Sequence, residues 1–158
     1  MRPAPPFDDW PVQYEHPEFG YAWYAAPAVF VNQLHAERGT ASVANTLHDL
    51  VDDILARRGD ELREHGGLLI VHDWRRMKGY DAEARRVFLG RMKRREPGYL
   101  RAAVAVVRDT PLLRMAVQTA NMLMALRVGG DLEMAIEPRA ALRAHGVVAP
   151  IRRGWLMD

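Results

Sequence analysis
Cysteine is absent from the 158 residues, which excludes disulfides, thiolate metal sites and a cysteine nucleophile while leaving every redox compartment open. No apolar stretch approaches the ~18 residues that cross a bilayer as a helix. The first residues, MRPAPPFDDW, hold three prolines within six positions and no apolar core of the kind a secretory signal needs. The cytoplasm is the expected location. A glycine-rich phosphate loop is also missing, and no two of His16, His35, His48, His65, His72 and His145 stand at the i, i+4 spacing of a helical metal site. No catalytic residue, metal site or cofactor is therefore expected.

What remains is the composition of an ordinary globule, 49% hydrophobic and 27% charged, of a length that suits one domain. The net charge of +2 is spread unevenly, with −6 on residues 1–65 and +8 on residues 66–158. Nine basic residues lie between Arg75 and Arg95 against Asp81 and Glu83. Such a run can be a solvated helix face, a protein-binding face or a surface for polyanions. Only Trp74, Tyr80 and Tyr99 flank it, so nucleic acid is not expected. The acidic side of the helix expected at 43–58 offers a complementary surface, which makes self-association through opposite charges conceivable.

The chain is organised around Gly66–Arg95. Leu68, Leu69, Ile70 and Val71 form an unbroken apolar run, the pattern of a strand covered on both faces. After the Gly79-Tyr80 turn, Asp81 can cap a helix whose apolar stripe is Ala82, Ala84, Val87, Phe88 and Met92. A second buried run at 101–107 completes a βαβ unit with parallel, adjacent strands.

Upstream, residues 1–18 read as an irregular arm. Residues 19–24 and 28–34 read as a hairpin, and Thr40 or Ser42 as the cap of a helix carrying Val43, Leu47, Leu50, Val51, Ile54 and Leu55. That helix ends near Gly59 or continues weakly to Glu64. Downstream, Thr110-Pro111 starts a helix to about Leu126. Met115, Val117, Met122 and Met124 extend its apolar character around most of the circumference. Its surplus can be covered by the arm, by a dimer or partner face, or by a small apolar ligand. A short strand at 132–136 and a helix at 138–145 capped by Gly146 close a domain of residues 19–146, leaving 147–158 as a tail. The order β-β-α-β-α-β-α-β-α predicts an α/β fold with a mixed four- to five-stranded sheet and helices packed on its faces.

His72-Asp73 and Arg108-Asp109 end neighbouring strands, at the carboxyl edge where open α/β sheets bind ligands. His72, Asp73 and Asp109 could converge there as an acid–base or metal crevice. Alternatively, the aspartates cap loops or pair with Arg75, Arg76 or Arg108.

LLIVHD at 68–73, YDAEAR at 80–85 and AVAVVRDTPLLRMAVQTANML at 103–123, in this element order, resemble the STAS domain family in its SpoIIAA-like branch. The resemblance implies a mostly non-catalytic module that binds protein partners in regulatory switches and scaffolds. Phosphorylatable members carry Asp-Ser-Ser-Gly at the start of the second helix. Asp81 matches, but Ala82 and Glu83 stand at the serine positions, so no hydroxyl is there to phosphorylate. Glu83 could instead mimic a permanently charged state. The expected activity is thus non-enzymatic partner binding by a homodimer, through Arg75, Arg76, Tyr80, Asp81, Arg85 and Arg86 with Met115 and Met122 of the long helix. The competing expectation is a small-molecule binder or enzyme using the His72, Asp73 and Asp109 crevice.

Overall fold
The apolar runs become strands, and the helical stripes between them become crossovers. The computed structural model describes residues 12–25, 27–108, 110, 111, 114, 115, 118, 132–136 and 138–147. Strands β1 (Val12–His16), β2 (Gly20–Ala25) and β3 (Val29–Leu34) form an antiparallel meander. A two-residue strand β4 (Arg38–Gly39) then leads to helix α1 (Ala41–Glu64) and strand β5 (Leu68–Asp73). The short β6 (Gly79–Tyr80), helix α2 (Ala82–Met92), strand β7 (Leu100–Val106), strand β8 (Leu132–Ala135) and helix α3 (Pro138–Ala144) follow. The large sheet runs β1-β2-β3-β5-β7-β8, antiparallel in the meander and parallel from β3 onward.

The expected α/β architecture with a mixed sheet is present, and β2, β3, β5, β7 and β8 occupy the expected stretches. Three strands are additional: residues 12–16 leave the expected irregular arm and pair along β2, making six strands in the large sheet where four or five were expected, and the two-residue β4 and β6 pair with each other in a small parallel ladder of their own. Tyr14 anchors β1 by meeting Phe19 edge-on at 6.0 Å. The hairpin turn carries a second device. Ala28 adopts φ 55°, a left-handed conformation that costs an alanine of order 1 kcal/mol. Its N–H is held 3.2 Å from the Tyr24 hydroxyl and 3.3 Å from Glu61 Oε1.

Thr40 caps α1 by accepting from the Val43 N–H at 3.3 Å. The helix passes Gly59 with a kink at Arg58 and runs on to Glu64. Buried Leu62 and the Tyr24–Glu61 hydrogen bond of 2.6 Å hold those last turns on the sheet. Alternation along the strands builds two cores. Phe30, Leu34, Leu68, Ile70, Ala103 and Ala105 face α1 and α2, while Val29, Val31, Leu69, Val71, Val104 and Val106 face the other side with Leu142 of α3. Each fully buried Leu, Ile or Phe contributes roughly 2 kcal/mol of transfer free energy. Of the long helix expected after residue 110, the described residues Pro111, Arg114, Met115 and Gln118 are helical.

Candidate functional site
The end of β5 carries the chemistry, and the pleat divides it. Even-numbered Leu68 and Ile70 enter the core beneath α1 and α2, and His72 follows them. Its ring stacks on Trp74 at 4.7 Å, and its Nδ1 lies 3.0 and 3.1 Å from the two polar atoms of the Asn32 amide. Burial, then the neighbouring His48, pushes the imidazole down to about 3, so it is neutral. Asp73 follows Leu69 and Val71 to the opposite side. There it accepts from Gln33 Nε2 at 3.2 Å, from the Arg75 guanidinium at two 2.9 Å contacts and from the Arg75 backbone N–H at 3.2 Å.

His72 and Asp73 are both nearly solvent-free, and the sheet separates them. They do not converge. The pairing of Asp73 with Arg75 is the alternative that the sequence left open. Asp109, the third crevice residue, lies outside the described residues. Among the described residues, no group of three His, Asp or Glu side chains could hold a metal ion.

A second buried histidine joins this region. His48 on α1 is 2% exposed and meets the Phe88 ring edge-on at 4.8 Å, while His72 lies 6.5 Å from the same ring. Arg95 places a guanidinium nitrogen 2.7 Å from His48 Nδ1. A guanidinium only donates, so Nδ1 accepts and the ring proton sits on Nε2. That Nε2–H and the indole N–H of Trp74 are buried without hydrogen-bond partners among the described residues. Burial, then Arg95 and Arg91, lowers His48 to about 3. The dispersed histidines read from sequence as surface or capping groups, yet His48 and His72 are buried, and Asn32 carries no expectation at all. The signals were a histidine in line with Ala44 and Val51 on the apolar side of α1, and an asparagine inside the buried strand VFVNQL.

Four of the nine cations of the basic run are used within the chain. Arg91 reaches Asp49 and Asp52 at 2.6 Å each, and Arg95 reaches Asp52 at 2.6 Å and the His48 carbonyl at 3.0 Å. The acidic side of α1 therefore meets α2 of the same chain, and charge-driven self-association loses that surface. Lys78 pairs with Glu37 at 2.7 Å. Asp81 occupies the N-cap position of α2 but turns its carboxylate to Arg38 instead of the helix N–H groups.

Six residues of the expected partner surface thus divide into two sets. Arg75 and Asp81 serve internal pairs, whereas Arg76, Arg85 and Arg86 remain exposed and Tyr80 half-exposed. Arg85 stacks its guanidinium over the Tyr80 ring at 5.1 Å. None of the ion pairs among the described residues includes Arg76, Arg85, Arg86, Lys93 or Arg94. Met115 is 63% exposed. Met122 lies outside the described residues.

No model of a known protein family matches the chain, and no curated protein matches it. No helix among the described residues is long and apolar enough to cross a membrane.

Proposed function
We propose that the chain is a non-enzymatic regulatory or scaffold module of the SpoIIAA-like STAS type, cytoplasmic and homodimeric, that binds a protein partner. The binding face is the turn and first half of α2, at Arg76, Tyr80, Arg85 and Arg86. One observation carries this reading: the fold consumes Arg75, Lys78, Arg91 and Arg95 internally and leaves this group of cations exposed. Exposed like charges repel one another, so they add little to folding and suit an acidic partner. Exposed Met115 adds an adaptable apolar contact on the helix after β7. With Ala82 and Glu83 in place of hydroxyl residues, such binding is constitutive at α2 or controlled elsewhere.

The test is capture of partners by the tagged protein and by Arg85→Glu with Arg86→Glu, at low and moderate salt. A stoichiometric protein held by the parent and lost by the double variant is the expected result. Equal capture by both removes this face from consideration. One observation favours a second reading, a small-molecule binder: the unpartnered N–H donors of His48 and Trp74 beside His72. Mass spectrometry of extracts from the purified protein would reveal a bound acceptor molecule.

A further inference from the structure
Helix α2 keeps an ordered outer face. Ala82, Arg86, Leu89 and Lys93 follow the spacing i, i+4, i+7, i+11 along one side of a helix, with Gly90 beside Leu89. Lys93 retains helical geometry at the C-cap. The opposite side is committed: Ala84 and Met92 are buried, Phe88 packs on the core and Arg91 is tied to α1. Arg86 and Lys93 are exposed, and Leu89 and Gly90 are half-exposed. Glu83, one turn before Arg86, forms no ion pair among the described residues. A Cβ at Gly90 would meet nothing within 4 Å. The face therefore offers two cations, about 10 Å apart along the axis, with a small apolar step between them.

We propose that this face docks an acidic amphipathic helix of a protein partner. Two partner carboxylates a heptad apart meet Arg86 and Lys93, and a leucine-sized side chain between them rests on Leu89 over Gly90. This inference rests on the partner-binding reading above and narrows it to a chemistry and a register. Charge complementarity supplies the choice of an acidic occupant and its salt-sensitive encounter. Leu89 supplies the choice of a helix over a polyphosphate chain, because an apolar step is matched by an apolar side chain at i+3 or i+4 between the carboxylates.

The probe is a synthetic helical peptide with glutamates seven residues apart flanking a leucine, titrated by fluorescence anisotropy against the full chain. Arg86→Glu with Lys93→Glu should weaken it about tenfold, as two reversed exposed pairs imply. A peptide with lysines at the two glutamate positions should recover binding to that variant. No binding of the parent, equal binding of a scrambled peptide, or failure of the charge swap overturns the inference.

Gly90→Gln with Lys93→Glu leaves Arg85 and Arg86 in place and fills open space, so the fold is retained. Partner capture lost by Arg85→Glu with Arg86→Glu but kept by this second variant overturns the α2 register and leaves the broader reading standing. Capture kept by both variants removes both.

Discussion
Arg95 donates to Nδ1 of His48 at 2.7 Å while its other nitrogens reach Asp52 and the His48 carbonyl. Its side chain is only 8% exposed, so one guanidinium joins the turn that follows α2 to α1 across a nearly dry contact. A histidine in this place is an acceptor that must stay neutral. Helix packing and proton occupancy are therefore coupled at one atom.

Removing that guanidinium strands the His48 lone pair and leaves Asp52 with Arg91 alone. Arg95→Ala should destabilise the fold by about 2 kcal/mol, below the usual loss for a fully buried pair because Asp52 is half exposed. Urea unfolding monitored by tryptophan fluorescence measures it. A change within error would mean that the Arg91 pairs and the apolar contacts hold α2 without Arg95.

Acid should unfold this protein early. His48 and His72 are neutral in the folded chain, each near 3, against about 6.5 when unfolded. Below pH 6.5 the unfolded chain binds protons that the folded chain refuses, so stability is present above 6.5 and is lost as pH falls toward 3. The loss reaches about 1.4 kcal/mol per pH unit for each histidine. Around His48 stand Arg95, Arg91, Asp52 and Asp49, and around His72 stand Asn32, Trp74 and Phe88. Urea midpoints at pH 7 and pH 5 should differ clearly in the parent and less in His48→Gln. Equal pH dependence in the two would remove His48 as a source.

The Tyr24 hydroxyl donates to Glu61 at 2.6 Å and accepts from the Ala28 N–H at 3.2 Å. Burial and the Glu61 carboxylate raise the phenol above its usual range. Tyr24→Phe should cost about 1 to 2 kcal/mol, because it leaves the strained Ala28 turn with one anchor fewer. The folded chain keeps the phenol protonated, so stability should also fall as pH rises above about 10, and this alkaline limb should flatten in the variant. Thermal melts across pH 7 to 11 decide it.

Two glycines should respond in opposite directions. Gly20 sits at φ +120°, and a Cβ there would collide with the Gln33 carbonyl oxygen. Gly20→Ala should cost at least about 3 kcal/mol and separate β2 from β3. Gly90, inside α2 with open space around it, should gain about 0.5 to 1 kcal/mol as alanine. Melting temperatures of the two variants, one far below and one above the parent, are the expected pattern.

What the sequence determined by itself is local. Continuous apolar runs at 68–71 and 101–107 specify buried strands, and the 43-47-51-54 spacing specifies α1, because burial and periodicity act over a few residues. Tertiary structure alone decided the site. Which side chain of β5 lies under the helices depends on where α1 and α2 pack, so adjacent His72 and Asp73 received opposite environments. Asn32 meets His72 only because β3 lies beside β5, and Arg91 and Arg95 find Asp49 and Asp52 only because α2 lies along α1. The strand at 12–16 likewise exists through its pairing with β2: VQYEH alternates apolar and polar residues, but a run of five residues beside a proline-rich segment becomes a strand only against a neighbour. Contacts between residues some forty positions apart are set by topology, and no local pattern encodes which cation of a basic run will be left facing outward.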